Sequence, residues 1–246
     1  MTSTDSLGDR MKAHESAFRA CLPPRTPVII RVDGRAFHTY TLGLERPFSE
    51  PLIEAMNRVA VELCGQIQGA RLAYVQSDEV SVLIHSYETY ASQPWFGNEI
   101  QKMVSVAAGI ASSTMTRASV DVFGQMRVAT FDARVFALPE HEVTNYFLWR
   151  QNDASRNSVQ MLARSMFSHR RCHGLNQAQL NELCFTEGGK NWNDLPTRHR
   201  RGRCIARERR DLMHWQWVVD NEIPIWKGEG REYIERLLKV REGEAA

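Results

Sequence analysis

Two short acidic segments of the chain have the residue types of a metal-dependent phosphoryl-transfer site. Asp33 and Gly34 follow the apolar run PVIIRV, and Asp78 lies in the polar tripeptide 77–79 between RLAYVQ and VSVLIHS. Two carboxylates held close together repel each other, and a divalent cation between them removes that repulsion. Oxygen ligands suit Mg²⁺, which keeps positions for phosphate oxygens, so a nucleoside triphosphate is the expected co-ligand. Each segment alone is also typical of an ordinary turn, so the prediction depends on their convergence.

The order of predicted elements places both acidic segments at one edge of a sheet. Hydrophobic periodicity predicts a strand at 27–32, a helix capped by Ser49, a hairpin of 71–76 with 80–86, a helix over 98–117 and a strand within 126–138. This β-α-β-β-α-β order is that of the ferredoxin-like α+β fold, an antiparallel sheet with two helices on one face. In that fold the end of the first strand and the hairpin turn share one edge, so Asp33 and Asp78 should converge.

The remaining segments are predicted to flank this core. Residues 1–12 are expected to be a loose tail, followed by a short helix over 13–22 that two prolines stop. The C-terminal part is predicted to hold a long helix within 146–167, a strand pair near 203–208 and 214–219, and a terminal helix over 232–240. Since no linker or repeat divides the chain, we predict one catalytic domain over 1–246. Its core spans about 25–140, and a basic helical and β extension spans about 141–246.

The small net charge of +2 conceals an asymmetry along the chain. Residues 150–210 hold 13 Arg and Lys against 5 Asp and Glu, a net charge of +8, so the remainder carries −6. A polyanion is therefore a plausible partner, with a solvated basic face as the alternative. If the partner is RNA, the segment TRHRRGRC is expected to supply phosphate contacts through Arg198, Arg200, Arg201 and Arg203.

Composition excludes several classes of protein. The chain has 246 residues, is 43% hydrophobic and 24% charged, and holds 15 Gly and 9 Pro, which does not fit a disordered, collagenous or coiled-coil chain. No apolar run approaches the roughly 18 residues of a membrane span, and the first residues lack a secretory signal, so we expect a cytoplasmic protein. The five scattered cysteines lack zinc-site spacing and are predicted to be buried free thiols.

Six sequence blocks, in order over about residues 27–205, resemble one enzyme family. The blocks are RVDGRAFH, YVQSDEVS, QKMVSVAAGIASS, FDARVFALP, WRQNDASRNSVQ and RRGRC. The chain resembles the tRNA-histidine guanylyltransferase superfamily, and most closely its bacterial and archaeal Thg1-like branch of 3′-to-5′ RNA polymerases. The resemblance implies a polymerase-palm-like catalytic domain, which agrees with the β-α-β-β-α-β order.

The resemblance also implies the roles of individual residues. The metal ligands fall on the Asp33 carboxylate, the Gly34 carbonyl and the Asp78 carboxylate, with Glu79 beside them as a third catalytic residue. Positions implied to bind nucleotide are Arg31, Asp33, Gly34, Arg35, Ala36, Phe37, His38, Arg46, Ser77, Asp78, Lys102, Arg134 and Asn157. For Lys102 a solvated helix position, and for His38 a hydrogen-bonded loop position, are the alternatives. Two Mg²⁺ ions, ATP and GTP as substrates, tRNA as partner and a homotetramer built as a dimer of dimers are implied as well.

One block departs from the pattern of the eukaryotic enzymes. Ser155 stands where those enzymes carry the histidine of a His-x-Asn-Asn segment, Asn157 remains, and Ser158 replaces the second asparagine. The Thg1-like branch shares this change, so the resemblance favours template-directed repair of 5′-truncated tRNAs. A dedicated tRNA-histidine guanylyltransferase, a nucleotide cyclase and a noncatalytic RNA-binding module are the alternatives. Trp149 and Trp192 are predicted to pack in the core or an interface, with stacking on bases as the alternative.

Overall fold

The computed structural model describes residues 6–89, 91–210 and 214–239. Within them one antiparallel sheet has the strand order β4-β1-β3-β2-β5-β6. Its strands are β1 Val28–Gly34, β2 Ala70–Gln76, β3 Glu79–Ile84, β4 Phe131–Ala137, β5 Arg203–Arg209 and β6 Trp215–Asp220. The helices are α1 Leu7–Ser16, α2 Phe37–Tyr40, α3 Glu50–Gln66, α4 Ile100–Phe123, α5 Glu140–Met166, α6 His169–Cys172, α7 Gln177–Thr186, α8 Thr197–Arg201 and α9 Glu232–Glu235, with short 3₁₀ turns at Trp95–Asn98, Trp192–Asp194 and Gly228–Arg231.

The first four strands confirm the predicted ferredoxin-like α+β core. β1 lies between β3 and β4, and β2 pairs with the other side of β3, all antiparallel. Because β1 enters the centre of the sheet, its side chains are buried on both faces, which explains its almost continuous apolar sequence. The predicted C-terminal strand pair is also present and extends the sheet beyond β2.

Helices α3 and α4 cover one face of the sheet. The Ser49 hydroxyl caps α3 by accepting the amide of Leu52 at 3.5 Å, as predicted. Met56, Val59 and Leu63 recur at helical spacing and are fully buried against the sheet. This arrangement holds the two helices of the palm-like core on a single face.

The C-terminal extension covers the opposite face. Alternate residues of the central strands, including Tyr74, pack there against Phe147 of α5 and Trp226. The Tyr74 hydroxyl donates a 2.7 Å hydrogen bond to the carbonyl oxygen of Arg201. The same face therefore fixes α5 and the arginine-rich α8 over the sheet.

Several predicted boundaries were wrong. The N-terminal helix spans Leu7–Ser16 rather than 13–22, because the Ser6 hydroxyl accepts the amide of Asp9 at 3.1 Å and starts the helix earlier. Residues 126–130 are not part of a strand, since β4 begins at Phe131. The terminal helix ends at Glu235, and the end of the predicted range, Val240, lies outside the described residues.

Two predictions about the wider chain have mixed outcomes. All five cysteines are free thiols and four of them are buried, but Cys21 is exposed. Among the described residues, no helix combines the length and apolarity needed to cross a bilayer.

Candidate active site

The end of β1 and the β2–β3 turn meet at one edge of the sheet. The Gly34 amide donates a 3.1 Å hydrogen bond to the carbonyl oxygen of Asp78. In register, Asp33 lies opposite Glu79 on one side and opposite Asp132 on the other. The structure therefore brings the two predicted carboxylate segments together, and it adds Asp132, a fourth carboxylate that sequence reasoning missed.

Both segments contain backbone in the left-handed region. Ala36 has φ 55° and Ser77 has φ 46°, a conformation that costs free energy for residues other than glycine. Gly34 is required for a packing reason, because a Cβ there would lie 2.3 Å from the ring of Phe37. That ring is buried and stacks on Tyr40 at 4.7 Å. Local strain and tight packing thus fix the loop that carries Asp33.

The electrostatics of this edge fit a bound cation. Burial, followed by the charge of Asp132, raises the pKa of Asp33. Burial is also the main cause that raises the pKa of Asp78 to about 6, with smaller increases from Asp33 and Glu79. Two carboxylates and the Gly34 carbonyl are hard oxygen donors of the kind Mg²⁺ prefers. The described residues hold no cluster of three or more His, Cys, Asp or Glu side chains arranged for a metal. A metal ion at this edge would therefore need the Gly34 carbonyl oxygen as a ligand beside the two carboxylates.

Glu79 makes a buried ion pair with Arg150. Arg150 donates Nε–H to one Glu79 oxygen at 2.8 Å and Nη2–H to the other at 2.6 Å. Both side chains are about nine-tenths buried, and Nη2 also contacts Asp153 at 3.0 Å. Both Glu79 oxygens are therefore engaged by a guanidinium group, which links the catalytic edge to α5.

A cavity of about 500 Å³ opens beside Asp78. Predicted site residues that line it are Phe37, His38, Arg46, Ser77, Asp78, Asn157, Arg198 and Arg203. Apolar side chains such as Leu44, Phe48 and Met161 form another part of the wall. Sequence reasoning missed two basic members of the lining, Arg164 and His199, and burial lowers the pKa of the His199 imidazole. The cavity combines apolar surface with basic groups, a composition that suits a nucleotide.

The arginine-rich segment is folded inward. Arg198 and His199 both contact the Glu50 carboxylate at 3.0 Å. Arg203 was predicted to contact RNA, but its side chain is 2% exposed, bonded to the side chain of Asn57 and to the Ile53 carbonyl oxygen at 3.0 Å. The prediction of an RNA-facing Arg203 is therefore corrected: β5 pairs with β2, and this places Arg203 in the interior, at the cavity wall.

Arg200 and Arg201 are half-buried rather than freely exposed. The Arg200 guanidinium lies over the ring of Trp192 at 5.8 Å, and Arg201 donates to the Ile223 carbonyl oxygen at 3.2 Å. Burial lowers the pKa of Arg201. Exposed arginines occur further along, on β5 from Arg207 onward. The segment therefore does not form the uniformly exposed basic surface that its sequence indicated.

Four other predicted cations do not line the cavity, namely Arg31, Arg35, Lys102 and Arg134. Arg31 and Arg134 are cross-strand neighbours on the face that also carries Asp33. Lys102 is exposed near the start of α4 and lies 3.6 Å from Glu99. That start follows the end of β3 at Ile84, which pairs with Val28 at the opposite end of β1 from Asp33. The structure of this chain does not bring Lys102 to the candidate site.

Two sequence signals could have identified the residues that were missed. Asp132 and Arg134 alternate in FDARVF, so both point to the same face of a strand. Arg150, Asn157 and Arg164 are spaced seven apart, which places them along one side of a helix. Neither signal by itself indicates that this side faces the carboxylates.

The sheet topology and the paired carboxylates define a palm-like nucleotidyltransferase. The family model described as tRNAHis guanylyltransferase matches residues 8–139, and the chain belongs to this family. Its structure is similar to that of a bacterial tRNA(His) guanylyltransferase (Thg1)-like protein in complex with ATP, with 43% identity, coverage of 96% of this chain and 100% of that chain, and a TM-score of 0.90.

Other relatives agree with this assignment. A bacterial Thg1-like protein in complex with GTP is 41% identical, with 95% and 99% of the two chains covered and a TM-score of 0.82. A probable tRNA(His) guanylyltransferase of Drosophila melanogaster is 29% identical over 201 residues, which cover 76% of this chain and 68% of the relative. These similarities confirm the family and the palm-like fold expected from the sequence.

Proposed function

We propose that this enzyme adds nucleotides to the 5′ end of tRNA in the 3′-to-5′ direction, directed by a template, after ATP or GTP activates the 5′-monophosphate. The observation that carries the proposal is the approach of Asp33 and Asp78 at the sheet edge, beside a cavity large enough for one nucleotide. The two bacterial relatives described as complexes with ATP and with GTP support nucleoside triphosphates as substrates.

The reaction has two phosphoryl-transfer steps. In the first, an oxygen of the RNA 5′-monophosphate attacks the α-phosphorus of the triphosphate, a P–O bond forms, and pyrophosphate leaves. In the second, the 3′-hydroxyl of a nucleotide paired with the template attacks the activated 5′-phosphorus, and the nucleoside monophosphate of the cap leaves. The hydroxyl proton passes to solvent, so neither aspartate has to carry it. The RNA thereby gains one nucleotide at its 5′ end.

The Asp33 carboxylate, the Gly34 carbonyl oxygen and the Asp78 carboxylate would hold Mg²⁺, and we propose two ions, as in related phosphoryl-transfer sites. When bound, Mg²⁺ supplies charge neutralisation at the phosphoryl oxygens and favours the ionised form of the attacking hydroxyl. The chain contributes by holding its ligands in place. The hydrogen bond from the Gly34 amide to the Asp78 carbonyl sets the distance between the two acidic segments. The buried Glu79–Arg150 ion pair ties this edge of the sheet to α5.

Different parts of the cavity wall would recognise the base and the phosphates of the nucleoside triphosphate. Phe48 stacks on His199 with ring centroids 4.4 Å apart, which forms a flat, largely apolar surface suited to a nucleobase. Arg46, Arg164 and Arg203 provide guanidinium groups that suit phosphate oxygens. Asn157 provides a neutral donor and acceptor. These side chains bind and orient the nucleotide beside Asp78.

The departures at positions 155 and 158 favour repair over strict tRNA-histidine selectivity. Ser158 lines the cavity, where its hydroxyl accepts a 2.9 Å hydrogen bond from the Trp192 indole. The shorter serine thus serves as a support for Trp192. Because Ser155 stands where the eukaryotic tRNA-histidine enzymes carry a histidine, we propose 5′-truncated tRNAs as the preferred substrates.

A direct comparison of substrates tests this proposal. 5′-labelled tRNA-histidine and a 5′-truncated tRNA are each incubated with Mg²⁺ and the four triphosphates, and the products are resolved by length. We expect the truncated tRNA to be extended more efficiently, with one nucleotide per templating base. Preferential addition of a single G to tRNA-histidine would favour a dedicated guanylyltransferase, and absence of any Mg²⁺-dependent extension would contradict the proposal.

Two alternative functions from other classes predict different outcomes in such an assay. A nucleotide cyclase would convert ATP or GTP without RNA, and a noncatalytic RNA-binding module would bind tRNA without turnover. The basic residues of 150–210 argue against the first, and the paired carboxylates argue against the second. A single catalytic domain over 1–246, a cytoplasmic location and a tetramer built as a dimer of dimers stay predictions.

A further inference from the structure

A second cavity, of about 150 Å³, lies at the C-terminal end of α5. Pockets for small organic ligands usually measure about 300 Å³ or more, so this cavity suits a single phosphate group rather than a whole nucleotide. Its lining comes from the end of α5, from α6 with the loop after it, and from α7, and consists of Gln160, Arg164, His169, Cys172, His173, Gly174, Leu175 and Leu180.

The polar groups of this second cavity are basic or neutral. Arg164 contributes a guanidinium group, His169 and His173 contribute imidazoles, and Gln160 contributes an amide. Among the described residues no carboxylate lines the cavity, and residues 154–181 hold four arginines and two histidines without an Asp or Glu. A small cavity surrounded by such donors suits an anion.

The segment that carries both histidines is fixed at each end by a helix cap. At the start of α6 the Ser168 hydroxyl accepts the amide of Arg171 at 3.3 Å. At the start of α7 the Asn176 side chain accepts the amide of Gln179 at 3.0 Å, and the Gln179 side chain accepts the Asn176 amide at 2.9 Å. These reciprocal bonds leave the segment between the two caps little freedom.

The base of the second cavity is apolar and its rim is polar. Cys172 and Leu180 are buried in one apolar cluster with Leu162 of α5. The rings of His169 and His173 are exposed above them, with their centroids 5.7 Å apart. A ligand therefore meets donors that are already in position, which lowers the entropy cost of binding.

The second cavity adjoins the cavity beside Asp78, because Arg164 lines both. Asn157, which lines only the cavity beside Asp78, lies seven residues before Arg164 on α5, or about 10 Å along the helix axis. A nucleotide whose phosphates react beside Asp78 leaves the second cavity free. A polymer with a phosphate at every residue can reach both places at once, and the exposed rim gives it access.

We propose that the second cavity binds a backbone phosphate of the RNA substrate, with the guanidinium group of Arg164 and the imidazoles of His169 and His173 as donors. A neutral imidazole still has one N–H donor, so the site does not require protonated histidines. Arg164 stands between the nucleotide and the RNA, whereas the two histidines contact the RNA alone. This inference rests on the proposed function, since it requires RNA as the second substrate.

A binding assay without chemistry tests the site. The probe is a 5′-truncated tRNA transcript with a 5′-hydroxyl and a 3′ fluorophore, titrated in Mg²⁺ without nucleoside triphosphates, so that it presents backbone phosphates only. We expect His169→Ala/His173→Ala to bind it about 10-fold more weakly than the wild-type protein does, because hydrogen bonds to a charged phosphate are lost. The same variant should bind ATP and pyrophosphate normally, since neither histidine lines the cavity beside Asp78.

Arg117→Met provides a matched control on the opposite face of the sheet. Arg117 belongs to α4, and its side chain is 75% exposed. This variant should bind the RNA as the wild-type protein does. Equal RNA affinity for His169→Ala/His173→Ala and Arg117→Met would overturn the proposal. Weaker binding of pyrophosphate with unchanged RNA affinity would also overturn it, because the second cavity would then take a free phosphate species instead of RNA.

The salt dependence of RNA binding gives a second measurement that leaves the histidines in place. Each phosphate contacted by an arginine contributes about 0.7–0.9 to the slope of log affinity against log salt concentration. Arg164→Met should reduce the slope by about that amount, and Arg117→Met should not change it. An unchanged slope for Arg164→Met would contradict the contact between Arg164 and the RNA.

Neither measurement includes turnover, so their results are independent of the extension assay that tests the proposed function. Normal RNA binding by the variants, with extension by the wild-type protein, would contradict this inference alone. RNA binding that depends on His169 and His173, without any extension, would support this inference and contradict the proposed function alone.

Discussion

The backbone amide of Gly34 lies 3.1 Å from the carbonyl oxygen of Asp78. This hydrogen bond joins the last residue of β1 to the turn between β2 and β3, so backbone atoms set the distance between the two acidic segments. Side-chain substitution at Asp33 or Asp78 therefore removes a carboxylate without removing the connection. The candidate site can be tested one ligand at a time.

Replacement of either metal-ligating carboxylate should remove catalysis and preserve RNA binding. We expect Asp33→Asn and Asp78→Asn each to lower the rate of both steps by about 10³-fold or more, equivalent to about 4 kcal/mol of transition-state stabilisation. Single-turnover assays with 5′-monophosphate and 5′-triphosphate RNA separate the two steps. Asp121→Asn, at an exposed carboxylate of α4 paired with Arg58, is the matched control and should be fully active. Near-normal rates in either site variant would contradict the assignment.

The raised pKa of Asp78 predicts a pH-dependent gain in stability for Asp78→Asn in metal-free protein. Because the folded-state pKa, about 6, exceeds the ordinary 3.8, the contribution of Asp78 to stability is fully present below pH 3.8 and is lost as the pH rises through 6. With a discount for its partial exposure, we expect Asp78→Asn to be more stable by about 1–2 kcal/mol at pH 7.5.

Urea unfolding in EDTA measures this effect. The advantage of Asp78→Asn should be nearly constant above the folded-state pKa of about 6 and should shrink as the pH falls from there toward 3.8, and Asp121→Asn should show no such trend. The prediction would be contradicted if the difference in unfolding free energy between Asp78→Asn and the wild-type protein did not change with pH. It would also be contradicted if Asp78→Asn were less stable than the wild-type protein at pH 7.5.

The Glu79–Arg150 pair should behave as a buried ion pair. Arg150→Ala leaves the Glu79 carboxylate buried without its partner, and we expect a loss of about 3–5 kcal/mol in the free energy of unfolding. Arg58→Ala, which removes exposed ion pairs with Glu54 and Asp121, should cost less than about 1 kcal/mol. The double variant Glu79→Leu/Arg150→Met should recover much of the loss. Similar costs for the two single variants would contradict a buried pair.

Arg203 should contribute to nucleotide affinity rather than to RNA binding. Its buried guanidinium bonds only neutral oxygens in the described residues, so its charge remains available to an anion in the cavity. We expect Arg203→Met to weaken ATP and GTP binding by about 10-fold to 100-fold, since a hydrogen bond to a charged group is worth about 1.5–3 kcal/mol.

Calorimetric titration with ATP and with an RNA hairpin distinguishes these roles. Arg207→Met, at an exposed position of the same strand, is the matched control and should leave ATP binding unchanged. Unaltered ATP affinity in Arg203→Met, together with weaker RNA binding, would return Arg203 to the role predicted from the sequence.

The sequence predicted the core well because its signals are local. The alternation in β2 and β3, the helical spacing in α3 and the turn at 77–79 are each contained within a few residues, and their order defines the fold. The convergence of Asp33 and Asp78 follows from that order alone. Burial of Val28, Ile29, Ile30 and Val32 on the two faces of β1 is consistent with its continuous apolar run.

The parts that were missed depend on contacts between distant residues. Glu79 and Arg150 are 71 positions apart, and no local pattern indicates that they meet. Arg203 looks exposed in TRHRRGRC, yet pairing of Val75 with Arg203 across β2 and β5 places it inside. The dense charge of the segment masks a strand whose partner is more than a hundred residues earlier in the chain.

A crystal grown with ATP and Mn²⁺ tests the central claim most directly, because Mn²⁺ has an anomalous signal and accepts the same oxygen ligands as Mg²⁺. The account predicts an anomalous peak at about 2.1 Å from carboxylate oxygens of both Asp33 and Asp78 and close to the Gly34 carbonyl oxygen. A peak that neither carboxylate contacts would contradict it.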